Sequence, residues 1–130
     1  MTRLLTLVVA MTVLTWLAII VASMLRSKGD MKLALSNRDH LPEPSPLAAR
    51  ADRAAQNTKE NFILFTALAA AALAVAPANA QVLLGAQIFF WARVVYLPVY
   101  YFGIQGVRTA VWAVGIVGLG VMAAALLGLP

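Results

Sequence analysis

With 62% hydrophobic and 12% charged residues in 130, the chain carries about half the charge of a soluble domain, where roughly 25% is usual; this excludes a water-soluble globule and points to a small membrane protein. Its net charge of +5 is not gathered into a dense basic patch interleaved with aromatics, so no nucleic-acid partner is expected. The absence of cysteine rules out disulfides, thiolate metal sites and a protein-borne thiol nucleophile, so any sulfur chemistry requires a thiol brought by a substrate.

The first uncharged run, Leu4 to Leu25, is about 22 residues, enough for roughly 30 Å of hydrocarbon at 1.5 Å per residue. A secretory signal is the competing reading, since Arg3 precedes the run and Val21-Ala22-Ser23 ends it in small residues. Signal h-regions are usually about 7 to 15 residues, and the length favours a retained span. A mixed connector follows: Arg26, Lys28, Lys32, Arg38, Arg50, Arg53 and Lys59 fall between the first two apolar runs, as do all five acids. His40 to Pro46 is punctuated by three prolines, where helix is hard to propagate, and His40 has no partners at metal-ligand spacing.

Helical pattern resumes near Leu47 and is strongly apolar from Phe62 to Ala76, giving a second span over about 54–76. Pro77-Ala78-Asn79-Ala80 is a tight hairpin. A third span covers about 82–102 and a fourth about 109–127, with Arg108 between them. The expected fold is therefore all-α, a four-helix integral membrane bundle forming one domain over 1–130. Basic residues concentrate in the 26–53 loop and at Arg108, with none between spans two and three. The positive-inside rule then puts the basic loops in the cytoplasm and both termini outside. Glycines 115, 118 and 120 suit close helix packing, and Trp16, Trp91 and Trp112 are explained by lipid or helix contact.

Polar residues inside these spans carry the chemistry. At about 100° per residue, Arg53, Gln56, Asn57 and Glu60 share an arc of roughly 100°, and Arg93, Tyr96 and Tyr100 one of roughly 60°. Counted from the hairpin, Glu60 and Tyr96 lie at matching depths, as do Asn57 and Tyr100, and Arg93 lies about 6 Å nearer the turn than Glu60. Two stripes on helices joined by a short hairpin can line one polar cavity. An ion pair between Arg93 and Glu60 is expected inside it, because an unpaired guanidinium at that depth costs several kcal/mol or more.

These stripes carry a resemblance. Arg53-Ala-Ala-Gln-Asn57-Thr-Lys-Glu60 resembles the R-x-x-x-N-x-x-E signature of the MAPEG family, membrane-associated proteins of eicosanoid and glutathione metabolism. Ala92-Arg93-Val-Val-Tyr96-Leu-Pro-Val-Tyr100 is similar to its A-R-x-x-Y-x-x-x-Y, and Arg108-Thr-Ala-Val-Trp112 to the R-[ST]-x-x-W of bacterial members. Asn61 stands where eukaryotic members usually place an aromatic, and Pro98 interrupts the third helix between the tyrosines.

The resemblance implies a homotrimer in a bacterial inner membrane, with glutathione as co-substrate held between neighbouring subunits and no metal. It assigns Arg53, Gln56, Asn57, Glu60, Tyr96 and Tyr100 to glutathione, Arg93 to bracing Glu60, and Arg108 to activation of the thiol. A transferase or peroxidase acting on a lipophilic electrophile or hydroperoxide is the implied activity. A small transporter and a non-catalytic assembly protein are the alternatives; small exporters carry their key glutamate in the first span, which here has no ionisable residue between Arg3 and Arg26.

Overall fold

The computed structural model describes residues 2–128, so Met1, Leu129 and Pro130 of the 1–130 unit lie outside the described residues. Four long helices, α1 (Arg3–Arg26), α3 (Pro46–Val75), α4 (Ala80–Tyr101) and α5 (Gln105–Leu126), are joined by a connector that holds the one-turn helix α2 (Met31–Ala34). All four long helices have the length and composition to cross a membrane. α1 packs chiefly on α3 and α4 chiefly on α5, and contacts of α3 and α1 with α4 close the bundle.

Local chemistry sets the ends. Thr2 Oγ1 accepts from the Leu5 N–H at 3.1 Å and Ser45 Oγ from the Ala48 N–H at 3.0 Å, each satisfying a donor the first helical turn leaves open. Pro46 sits at the start of α3, where its missing N–H is not needed. The hairpin between α3 and α4 closes on Asn79, whose Oδ1 accepts from Gln81 and Val82 N–H groups at 2.9 and 3.0 Å.

Pro98 lies inside α4 without ending it. It deletes a single backbone bond one turn from the C-terminus, and the Phe102 N–H still reaches the Pro98 carbonyl at 3.0 Å, so the helix continues to Tyr101. The connector folds back on α1: Arg26 Nη1 donates to the Pro42 carbonyl, and Arg38 Nη2 donates to Ser23 Oγ at 2.7 Å.

The core has two parts of different texture. Toward the hairpin it is bulky, centred on Phe65 stacked against Phe89 with centroids 4.9 Å apart, with Leu4, Met11, Val82 and Met122 around them. Toward the basic end it is made of Ala18, Ala22, Ala51, Ala54 and Ala55 with Tyr96, Leu97 and Tyr100. Alanines there let α1 and α3 approach closely.

α4 and α5 approach most closely at Gly85 and Gly118. A Cβ on Gly118 would stand 2.7 Å from both the Gly85 carbonyl oxygen and the Phe89 nitrogen, whereas one on Gly120 meets nothing within 4 Å. Of the three expected packing glycines, Gly118 is thus the one in tight contact, and its partner Gly85 was not anticipated. Gly118→Ala is expected to destabilise the bundle by about 1–3 kcal/mol through backbone overpacking. Gly120→Ala, which improves helix propensity, should leave the thermal midpoint in detergent unchanged or slightly higher; equal losses for the two variants would contradict the packing.

Candidate functional site

At the basic end of the bundle, α3, α4 and α5 enclose an open cavity of about 400 Å³, within the range of small-molecule sites, about 300–1,000 Å³. α3 contributes Arg53, Gln56, Asn57 and Glu60, α4 contributes Tyr96 and Tyr100, and α5 contributes Arg108, Thr109 and Trp112. Tyr96 and Tyr100 of the second stripe face the first across this space. Their common height follows from the four-residue turn between α3 and α4, residues 76–79, which keeps equal counts from the hairpin at equal depth.

The tyrosines form the buried floor, ring centroids 5.5 Å apart and nearly perpendicular at 74°. Arg53 Nε donates to Tyr100 Oη at 3.3 Å, and the Arg108 guanidinium carbon stands 4.6 Å from the Tyr100 ring centroid. Tyr100 therefore joins the two cations, one through its hydroxyl and one through its π-face. On the exposed lip, Gln56 Nε2 donates to Glu60 Oε1 at 3.2 Å. Asn61, buried behind the wall, donates Nδ2 to the Asn57 carbonyl at 2.9 Å and to its Oδ1 at 3.2 Å. That turns the Asn57 amide oxygen inward and leaves its N–H₂ as the end that can serve a ligand.

Arg93 departs from expectation. It is not part of the cavity wall and does not pair with Glu60; the ion pair present among the described residues is Arg26–Asp52, at 3.8 Å. Arg93 is the largest fully buried side chain, 1% exposed. Its Nη2 donates to Thr58 Oγ1 at 2.7 Å, its guanidinium lies 4.0 Å from the Tyr96 ring centroid, and its Nε has no hydrogen-bond partner among the described residues.

The reason is azimuth. Thr58 and Glu60 are two residues apart, about 200° around the helix, so an arginine facing Thr58 at the α3–α4 seam is turned away from Glu60. Counting residues from the hairpin fixes height and leaves this angle open. Thr58 itself spends its hydroxyl proton on the Ala54 carbonyl at 2.7 Å, so its lone pairs face the guanidinium.

Three residues enter the site without having been singled out for it. Trp112 and Thr109 line the cavity, and Asn61 orients Asn57. Helical spacing carries the signal for Trp112, which lies four residues after Arg108 and so on the same face. No group of three or more His, Cys, Asp or Glu that could hold a metal occurs among the described residues.

The site therefore presents two guanidinium groups and one carboxylate, amide and phenol groups between them, and an indole at the rim. This suits an anionic or zwitterionic ligand with peptide-like groups and an apolar neighbour. Residues 4–128 match the family model described as the MAPEG family. No curated protein and no solved structure gives a match.

Proposed function

The chain belongs to the MAPEG family and is an integral membrane protein with four apolar helices; from this premise we propose that it is a glutathione-dependent enzyme, a transferase or peroxidase that works on lipophilic electrophiles or hydroperoxides. The observation that carries the reading is the mixed-charge cavity, with Arg53 and Glu60 about two turns apart on α3, Arg108 on α5 and a floor of two tyrosines. Glutathione offers two carboxylates, one ammonium and two amides, and the wall matches them by charge and hydrogen-bonding type. Arg53 suits a carboxylate, Glu60 the ammonium, and Gln56 and Asn57 the amides.

Arg108 is the group for the thiol. A nearby guanidinium favours the thiolate, which is the nucleophile. Glutathione would supply the sulfur chemistry that a chain without cysteine lacks. Trp112, one helical turn beyond Arg108, gives the cavity an apolar edge where a substrate dissolved in the bilayer can meet the sulfur. The open side of the cavity would be closed by a neighbouring subunit of a homotrimer in a bacterial inner membrane, with the basic loops cytoplasmic and the termini outside.

Isothermal titration of the detergent-purified protein with glutathione is expected to show saturable heat at or below millimolar ligand. Absence of heat at millimolar ligand would overturn the proposal. S-hexylglutathione, which adds an apolar arm at the sulfur, should bind more tightly than glutathione by about 0.8 kcal/mol for each methylene the site buries.

A further inference from the structure

The cavity wall holds two primary amides of opposite polarity. Gln56 spends an Nε2 proton on Glu60 Oε1 at 3.2 Å, which leaves its oxygen to accept. Asn57 is set the other way by Asn61, which lies one turn further along α3 and is 6% exposed. A backbone carbonyl can only accept, so the Asn61 atom 2.9 Å from the Asn57 carbonyl is the amide nitrogen. That same nitrogen stands 3.2 Å from the Asn57 side-chain amide, and two N–H₂ groups cannot bond each other. Asn57 must therefore turn its oxygen to Asn61. Its N–H₂, at the other end of a planar group, is what it offers to the cavity it lines.

Asparagine is a costly residue at this position on local grounds. Inside a helix its amide competes for backbone groups, and a buried amide must be bonded to offset its desolvation. Alanine would serve the helix better, and threonine would fill the same volume. Thr12, Thr15 and Thr58 show what a hydroxyl does inside these helices: each donates its one proton to the carbonyl four residues back, at 2.7, 2.8 and 2.7 Å, and has only lone pairs left for a neighbour. An amide has two protons, so Asn61 satisfies the carbonyl and still donates to Asn57. Among neutral side chains of this size, asparagine alone does both.

We infer that Asn61 is a positioning residue that fixes Asn57 as a hydrogen-bond donor and so makes the site specific for an acceptor oxygen, carbonyl or carboxylate, at that point of the ligand. The inference rests on glutathione as the proposed ligand and names the polarity with which its backbone is read. With the Asn57 amide reversed, oxygen would meet oxygen. One hydrogen bond would be lost and two acceptors would be desolvated without a partner, at a cost greater in a low-dielectric cavity than in water.

Isothermal titration of the detergent-purified full chain with glutathione tests this in Asn61→Thr and Asn61→Ala, each alone and combined with Asn57→Ala. The threonine hydroxyl, its proton spent on the Asn57 carbonyl, should draw the Asn57 N–H₂ inward and weaken glutathione at least about tenfold. Alanine only releases Asn57 and should cost about two- to fourfold. A residue that served packing alone would give the reverse order, since threonine fills the space and alanine empties it. With Asn57→Ala present, neither change at position 61 should cost more than about a further twofold, because the group it acts through is gone. If one of the two variants loses its helical circular dichroism, the other, read with and without Asn57→Ala, decides alone. Unchanged affinity, a loss for alanine equal to or larger than that for threonine, or losses that add to that of Asn57→Ala would overturn the inference while leaving glutathione as the ligand. Absence of heat with the unsubstituted chain would overturn that reading, and the inference with it.

Discussion

Arg108→Ala is expected to lower turnover about 10²–10³-fold, the usual effect of removing one group that stabilises developing or resident negative charge, while glutathione affinity falls less than about threefold. The asymmetry follows from where Arg108 sits. It lies in the first turn of α5, whose N-cap residue Ile104 provides no side-chain hydrogen bond, so the positive end of the helix and the guanidinium act in the same direction. A cation there is unfavourable for the helix and favourable for an adjacent anion. Its face-on contact with Tyr100 at 4.6 Å fixes its position without consuming its N–H donors. In the proposed reaction these donors would stabilise the thiolate sulfur, whereas binding of the tripeptide's ends would fall to Arg53 and Glu60 on the other wall.

The same argument gives a pH signature. A cation beside the bound thiol lowers its pKa, so the rate rises through that pKa and levels off above it. Removing the cation moves the rising limb of kcat/KM to higher pH, and Arg108→Lys should move it only part of the way. Steady-state rates with 1-chloro-2,4-dinitrobenzene across about pH 5.5–9.5, which reaches about one unit above the ordinary thiol value of about 8.5 and well below it, measure the shift. Equal losses in turnover and affinity with no movement of the limb would remove Arg108 from the thiol and make it a binding residue.

What the sequence discloses about this site divides along a physical line. Helix existence, span length and the depth of each polar residue follow from apolar run lengths and a fixed rise per residue. Hence Arg53, Gln56, Asn57, Glu60, Tyr96 and Tyr100 all meet in the cavity. Relative rotation of two helices is set by which small residues permit close approach. Here those are Ala51, Ala54 and Ala55 against Ala18 and Ala22, and Gly85 against Gly118. These are contacts between distant positions, and each helix read singly gives no hint of its partner. Gly85 was invisible for that reason, and so was the turn of Arg93 away from Glu60. Pro98 shows the complementary case: local propensity predicts an interruption, and position one turn from the helix end makes it harmless.

Arg93 and Glu60 give the sharpest test of that geometry. Arg93→Ala is expected to destabilise the protein by about 2–4 kcal/mol. It empties the space of the largest fully buried side chain, and large-to-small changes in a packed core cost about 2–5 kcal/mol, reduced here by relief of a desolvated charge. Arg93→Met fills most of that volume without the charge and should stay within about 1 kcal/mol of the wild type, because hydrophobic replacement of buried ionic groups is often neutral or stabilising. Glu60→Gln should leave stability unchanged, since Glu60 is exposed and, among the described residues, its carboxylate bonds Gln56 alone, at 3.2 Å. It should instead weaken glutathione about tenfold or more by removing the proposed partner of the ammonium. Unfolding in mixed micelles and titration with glutathione separate the two residues. A structural ion pair would make the two single losses similar, at about 3–5 kcal/mol each, and that result would place Arg93 against Glu60 rather than Thr58. Arg93→Met carries one further consequence: Tyr96 loses the cation on its ring at 4.0 Å while Tyr100 keeps Arg108. Turnover in that variant should therefore fall far less than in Arg108→Ala, because the residue behind the floor shapes the cavity, whereas the residue on its wall is the one proposed to meet the sulfur.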